Sequence, residues 1–289
     1  MTLTAEDKAV RATRIGASEV AAVLGISPYA DATPFAVWAR LTQGIQRPDA
    51  PELTAGQYLE RAVADWYRDT MDVQLLPVSG QAHPEHPWLS ATPDREVHDG
   101  DFQTDSWLLE CKTDRDRDAW GEPGTDQVPV HIAAQVQIQM ACTGLARCDV
   151  AVLFKSRDEF ACYTVPRDQA VIDAIIAQLG SWYVVHVTGG VMPALDGGNA
   201  AAEYLRRRYP TSNGTYKTPL PDQVFLIRDW QTLKAAEKES GDKAEVMRQR
   251  IILEIGETDG FTFPDGERIS YRADKRGRRS LRMSGQKDE

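Results

Sequence analysis

One stretch constrains this chain more than any other: an apolar run that passes without a break into charge, Trp107-Leu108-Leu109-Glu110-Cys111-Lys112-Thr113. Side chains along a strand alternate between faces, so a strand here puts Glu110 and Lys112 on the same side. Residues 88–98 and 106–113 read as two strands joined by the polar turn His98-Asp99-Gly100-Asp101. Asp94, which follows Pro93 and precedes Glu110 by sixteen residues, then converges on that face.

Two carboxylates beside a lysine suit phosphodiester hydrolysis. Carboxylates are hard oxygen ligands for Mg²⁺, which keeps several waters and binds substrate phosphate. Such an ion polarises phosphorus and acidifies water, and Lys112 would orient that water or stabilise developing charge. The carbonyl of Cys111 points away from the Glu110/Lys112 face and reaches the ion only if the strand twists or splays. A surface hairpin with Glu and Lys on its wet side fits the same short pattern, so the stretch alone leaves both readings open.

Composition narrows the class. The 289 residues allow one large domain or a domain with an appendage. Mean hydropathy is −0.43. No apolar run approaches the roughly 20 residues of a bilayer span, and the first residues lack a signal-peptide core, which gives a cytoplasmic expectation without a membrane. Cys111, Cys142, Cys148 and Cys162 form no C-x-x-C pair, which argues against a zinc ribbon and predicts reduced, mostly buried thiols. Net charge is −10. That counts against a nucleic-acid binder taken whole, but a metal site must itself concentrate carboxylates, and only a DNA track needs to be positive.

Along the chain, residues 4–13 read as a short helix or arm. Ser18 reads as the N-cap of a helix ending at Gly25, with free N–H groups suited to a phosphate and with Arg11 and Arg14 alongside; simple capping with solvated arginines competes. Thr33-Pro34 opens a helix with Phe35, Trp38 and Leu41 in the core. Leu53–Met71 is a longer helix, with Glu60 beside its apolar stripe. Residues 73–78 form a strand. His83 and His86 lie in a surface loop. Residues 114–127 form a flexible polar loop apart from Trp120. A helix then runs to Gly144 with Ile132, Val136 and Met140 on the core face and Gln135 and Gln139 as i,i+4 neighbours. Strands at 149–155 and 159–166 and a long amphipathic helix at 168–187 follow. Gly189–Gly198 marks a boundary. Beyond it come a helix at 200–209, a charged helical segment at 231–255, a hairpin at 261–272 and a basic tail.

In this order, RATRIGASEVAAVLGISPY (11–29), GQYLERAVADWY (56–67), HPWLSATPDRE (86–96), LLECKT (108–113) and AAQVQIQMACTG (133–144) resemble the YqaJ-type viral recombinases. These are phage nucleases similar to lambda exonuclease in the PD-(D/E)xK superfamily. The resemblance covers roughly residues 8–190. It implies an α/β fold with a restriction-endonuclease-like core, a central mixed β-sheet flanked by helices, and a C-terminal helix-plus-hairpin appendage. The division is 1–190 for the nuclease domain and 191–289 for the accessory region, whose basic end would track phosphates.

The resemblance also implies Mg²⁺-dependent (or Mn²⁺-dependent) digestion of double-stranded DNA ends, 5′ to 3′, leaving 3′ strands for a phage annealing protein of the RecT/Red-beta-like kind. Residue by residue, Asp94 and Glu110 match metal ligands, Lys112 the catalytic lysine, and the Cys111 carbonyl a backbone ligand. Glu60 matches a glutamate approaching a second metal. Gln135 matches a site glutamine, with Gln139 left open. Arg11 and Ser18 match the pair that holds the 5′-phosphate. Arg95 departs from the family, which often has Gly after Pro-Asp. Some relatives form trimers, so a homo-oligomer is an expectation of the resemblance alone. An endonuclease on the same core and a non-cleaving end-binding adaptor are the rivals.

Overall fold

The computed structural model describes residues 13–46, 51–99, 106–236, 241–274 and 277–284; the side chains of 51–53, 57 and 284 are not described. The chain divides into two compact units, one of residues 1–44 and 48–191, the other of 45–47 and 192–289.

The first unit opens with β1 (Ile15–Gly16), a 3-10 turn (Ala17–Glu19) and α1 (Val20–Val23), followed by α2 (Pro34–Gln43) and α3 (Pro51–Met71). Strands β2 (Gln74–Leu76), β3 (Gln81–Ala82), β4 (Leu89–Ala91), β5 (Arg95–His98) and β6 (Ser106–Asp114) come next. Helix α4 (Val130–Thr143) leads to β7 (Arg147–Phe154), β8 (Glu159–Pro166) and α5 (Gln169–Trp182), which continues as a π-helical run, Tyr183–Thr188. The main sheet has the order β2-β5-β6-β7-β8. Its β6–β7 pair is parallel and the other neighbours are antiparallel, so the sheet is mixed. A small sheet, β1-β4-β3, stands apart from it.

The single strand expected over 88–98 is therefore two strands in two sheets. The break falls at Thr92-Pro93-Asp94, where Pro93 has no N–H to donate to a ladder.

Local chemistry sets the helix limits. Thr33 Oγ1 accepts from the Ala36 N–H at 3.1 Å, Pro34 fills the first helical position, and Gly44 closes α2 at φ 63°. Gly144 ends α4 at φ 78°. Most of α4 is apolar, because three different surroundings bury it. Ile132, Val136 and Met140 pack on β6 and β7, while Ala134 and Ile138 pack under the N-terminal turn and α5.

On the opposite face of the sheet, Val63, Ala64 and Tyr67 of α3 cover Val97, Leu109 and Ala151. This layer also buries a carboxylate. Asp149 is 1% exposed and accepts from Tyr67 Oη at 2.5 Å and Thr164 Oγ1 at 2.9 Å, with Arg147 Nε at 3.3 Å. Burial first, and the Asp149 charge second, push the Tyr67 phenol up, so it stays a donor.

Two further expectations change, and the one for the cysteines holds. The 114–127 loop is pinned rather than free: Trp120 packs on Phe154 and Tyr163, and Gly124 and Thr164 bridge it to β8 through backbone bonds. Gln169–Thr188 is one helical run long and apolar enough, by length and composition alone, to cross a membrane; here Ile172, Ile175 and Leu179 lie in the core. All four cysteines are free, and Cys111, Cys142 and Cys148 are buried. Of the arm expected over 4–13, residues 4–12 lie outside the described residues.

The second unit contains α6 (Asn199–Arg208), β9 (Tyr216–Lys217), α7 (Pro221–Ala235), α8 (Gly241–Ile255) and strands β10 (Gly260–Thr262), β11 (Arg268–Ala273) and β12 (Arg279–Ser284). The strand order is β12-β11-β10-β9, around a core that includes Ile227, Trp230, Ile251 and Phe261. Gly260 sits at φ 146°, where a Cβ would meet the Ile269 carbonyl oxygen at 1.8 Å.

The helical segment expected from Gln231 thus starts at Pro221, and the basic tail is partly a strand. Arg279 is no free phosphate ligand: its guanidinium donates to the carbonyls of Tyr209, Thr211, Gly256 and Thr258. Arg206 and Arg207 pair with Glu203.

Replacing Tyr67 with Phe removes a donor to Asp149 without changing packing volume much. The expected loss is about 1–3 kcal/mol of stability, the cost of a buried acceptor losing its partner; urea unfolding measures it.

Candidate active site

The site begins with the register of β6. Arg95 stands opposite Leu109 across the β5–β6 ladder. Continuing that register would put Pro93 opposite Cys111. Pro93 cannot donate, and the ladder has ended. In its place the Asp94 carboxylate turns in, and its Oδ2 accepts from the Cys111 N–H at 2.7 Å. The N–H and C=O of one strand residue point to the same neighbour, so the Cys111 carbonyl is directed to the strand edge where Asp94 sits. That direction lies in the sheet plane.

Glu110, on the α4 face, is 4% exposed. A buried carboxylate is costly unless it is paired and hydrogen-bonded, and this one is. Its Oε1 accepts from Lys112 Nζ at 2.6 Å and from Gln135 Nε2 at 2.6 Å. Its Oε2 accepts from Gln139 Nε2 at 2.7 Å. Gln135 Oε1 in turn accepts from Lys112 Nζ at 3.0 Å, closing a triangle. The i,i+4 spacing on α4 brings both amides to one carboxylate. Gln139, left open from the sequence, thus reaches the same carboxylate as Gln135. Its Oε1 is buried without a hydrogen-bond partner among the described residues.

Burial, then the charges of Glu110 and Glu60, hold the Asp94 carboxyl well above the usual carboxylate range; Lys112 and the Cys111 N–H oppose the shift. For Lys112, burial favours the neutral amine, but Glu110 and Asp94 outweigh it and raise the ammonium above its ordinary value. Hard oxygen donors crowded so that one resists ionisation fit a small divalent cation. Among the described residues, however, no three or more His, Cys, Asp and Glu side chains are gathered as a metal-holding group.

Glu60 accounts for part of this. Its Oε1 accepts from Arg95 Nη1 at 3.0 Å. The expectation that Glu60 faces a cation thus meets a guanidinium in that place.

The N-terminal turn differs more. Ser18 is not an N-cap. Gly16 precedes the 3-10 turn, and its N–H is taken by Glu19 Oε2 at 3.0 Å. Arg40 of α2 donates to both Glu19 oxygens at 2.6 Å and to the Arg14 carbonyl at 2.7 Å. Arg14 Nε donates to the Pro87 carbonyl at 2.8 Å. With α1 only four residues long, the expected helix N-terminus does not form. Ser18 remains exposed on the turn, whose Ala17 and Val20 pack in the same cluster as Ala134 and Ile138 of α4. Arg11 lies outside the described residues.

With this geometry in hand, comparison with known proteins is informative. Residues 8–146 match the YqaJ-like viral recombinase domain. The chain is similar to the uncharacterized protein YqaJ of Bacillus subtilis (strain 168), at 28% identity over 202 residues, 68% of this chain. The chain spans 60% of the length of that relative.

Among solved structures, it is similar to LHK-Exo in complex with dAMP (TM-score 0.52, 23% identity) and to the alkaline exonuclease LHK-Exo from Laribacter hongkongensis (TM-score 0.50, 24% identity). Each alignment covers 71% of this chain and 97% of that one. At such identity the likeness speaks for the fold: a restriction-endonuclease-like mixed α/β core. Asp94, Glu110, Lys112, Gln135 and Gln139 all fall within residues 8–146, the part that matches the YqaJ-like viral recombinase domain.

Arg95, Glu19 and Arg40 were not read from the sequence as parts of the site. Each acts through a partner distant in the chain, and only the Glu19 to Gly16 bond leaves a local spacing signal.

The Asp94 shift has a checkable consequence in protein stripped of divalent ions. A carboxyl whose folded pKa is raised binds its proton more tightly folded than unfolded. The protein should therefore gain stability as pH falls from above that raised value toward the ordinary carboxylate range. Asp94→Asn should abolish this gain and raise stability at neutral pH by on the order of 1 kcal/mol; thermal unfolding at several pH values in EDTA reads it.

Proposed function

We propose that the chain is a divalent-cation-dependent deoxyribonuclease that digests linear duplex DNA from its ends, 5′ to 3′, leaving 3′ single strands for phage recombination. The observation that carries this reading is the buried Glu110 carboxylate, shared by Lys112, Gln135 and Gln139 beside Asp94. Asp94 and Glu110, with the Cys111 carbonyl, would hold Mg²⁺, or Mn²⁺ in its place. Bound there, the ion would supply Lewis-acid charge at the phosphate and make water acidic enough to attack near neutral pH.

The protein's own part is positional. Gln135 and Gln139 fix the Glu110 carboxylate in a layer where water is scarce. Lys112, held charged by Glu110 and Asp94, carries a directed proton donor that would orient the attacking water and stabilise charge on the phosphoryl oxygens. Ser18, with Arg11 and Arg14, would anchor the 5′-phosphate. Because the Gly16 N–H and one Arg14 donor are already engaged, that anchor rests on side chains rather than a helix dipole. The partners that follow are duplex ends, a RecT/Red-beta-like annealing protein, and further copies of the chain in an oligomer such as a trimer, in the cytoplasm of a bacterial host.

An endonuclease could use the same core. An adaptor that only bound ends would have no need to crowd Asp94 and Glu110, since like charges in a buried place cost stability.

Digestion of a linear duplex beside the same DNA as a closed circle separates these readings. The linear form should disappear in Mg²⁺ but not in EDTA, faster with a 5′-phosphate than with a 5′-hydroxyl, while the circle survives. Cutting of the circle would favour the endonuclease, and no cleavage of either the adaptor. Lys112→Ala should lower turnover by about 10²–10³ or more, the scale for removing one charge-stabilising donor. End binding, measured by gel shift in Ca²⁺, should persist.

A further inference from the structure

The sheet separates the acidic groups into two layers. Glu110 and Lys112 project to the α4 face, with Gln135 and Gln139. Arg95 shares its face with Leu109, its partner in the ladder, and Leu109 packs against α3. Glu60 belongs to α3. Asp94 sits at the strand edge between the layers, and the charges of both Glu110 and Glu60 act on it.

Asp94 thus lies between two separate carboxylates, Glu110 in one layer and Glu60 in the other, and each can attract its own cation. On the α4 side Lys112 stands beside Glu110, with its ammonium on Glu110 Oε1. On the α3 side a cation is already built into the chain. Arg95 Nη1 contacts Glu60 Oε1 at 3.0 Å and also donates to the Asp94 backbone carbonyl. The side chains of the pair are only 16% and 17% exposed, so water does little to screen them. The residue next to Asp94 is thereby locked over the carboxylate that a second ion would need.

We infer that Arg95 is a resident cation that replaces a second divalent ion at Glu60, making this a one-metal site in which Glu60 is the counter-ion of Arg95 rather than a ligand. This rests on the reading of Asp94 and Glu110 as cation ligands. Arg95 is a positioning residue here: it neutralises Glu60 and ties α3 to the strand edge. A guanidinium cannot exchange with the medium or lose its proton in a protein, so the charge on this side of the site stays fixed while the other side loads.

Calorimetric titration of the full chain with Mn²⁺, without DNA, tests the idea. Wild type should bind one ion per chain. Arg95→Ala, and Arg95→Gln as a companion that keeps most of the bulk, should bind a second ion at least tenfold more weakly. Adding Glu60→Gln to either variant should remove that second ion and leave the first. Asp94→Asn should weaken the single wild-type site at least tenfold.

Two ions in wild type, or one in both well-folded Arg95 variants, would overturn the inference while leaving the nuclease reading intact. No ion in wild type, or unchanged binding in Asp94→Asn, would overturn the cation reading of Asp94 and Glu110, and this inference with it. If neither Arg95 variant folds, the wild-type count decides, checked by the electron paramagnetic resonance of bound Mn²⁺: the six-line signal of an isolated ion supports the inference, and the spin coupling of two adjacent ions refutes it.

Discussion

A carboxylate that has left water must find its whole coordination within the protein, and Glu110 does so. With 4% exposure, it is reached by one ammonium and two amides, all at 2.6–2.7 Å. This requirement ties β6 to α4. The helix must present glutamines at 135 and 139 to the strand while its other sides carry Ile132, Val136, Ala134 and Ile138 into two apolar clusters. An all-apolar α4 would leave Glu110 stranded, and a more polar one would lose the packing that fixes the helix to the sheet.

The same strand organises the opposite side through alternation. Leu109 faces α3, and the end of the β5 ladder beside it sets where Asp94 and Arg95 stand. Pro93 stops the ladder, Asp94 substitutes its carboxylate for the missing strand partner, and Arg95 crosses to Glu60. Two charge networks, Glu110–Lys112 and Glu60–Arg95, therefore flank one carboxylate from two layers. Asp149 shows that burial of an acid here is not in itself a sign of chemistry. It lies on the α3 side with Tyr67 and Thr164 as donors and fixes β7 and β8 against α3.

How much was legible depended on whether the signal was local. The α2 helix announced itself with Thr33-Pro34 and closed on Gly44, and α4 closed on Gly144; caps and breakers act over a few residues. Glu110 and Lys112 shared a face because alternation is a property of any strand. The misreadings have equally physical origins. Residues 88–98 looked continuous because pairing, not propensity, decided that β4 and β5 belong to different sheets. Ser18 looked like an N-cap, but Glu19 had already taken the Gly16 N–H, held there by Arg40 from α2. The tail after 272 read as a basic run, yet β11 pairs with β12 and Arg279 spends its donors on five carbonyls.

By itself the sequence determined helices α2, α3 and α4, the face that carries Glu110 and Lys112, and the presence of Asp94 on the neighbouring segment. Each follows from backbone geometry within one strand or helix, where side-chain direction is set by residue spacing. Only the tertiary structure decided that Gln139 joins Gln135 on Glu110, that the Cys111 N–H binds Asp94, and that Glu60 is held by Arg95 rather than left open. Those outcomes depend on the order of strands, the length of a ladder and the layer in which a helix docks. They join residues from 17 to 35 positions apart in the chain, and no local preference encodes which distant charge arrives.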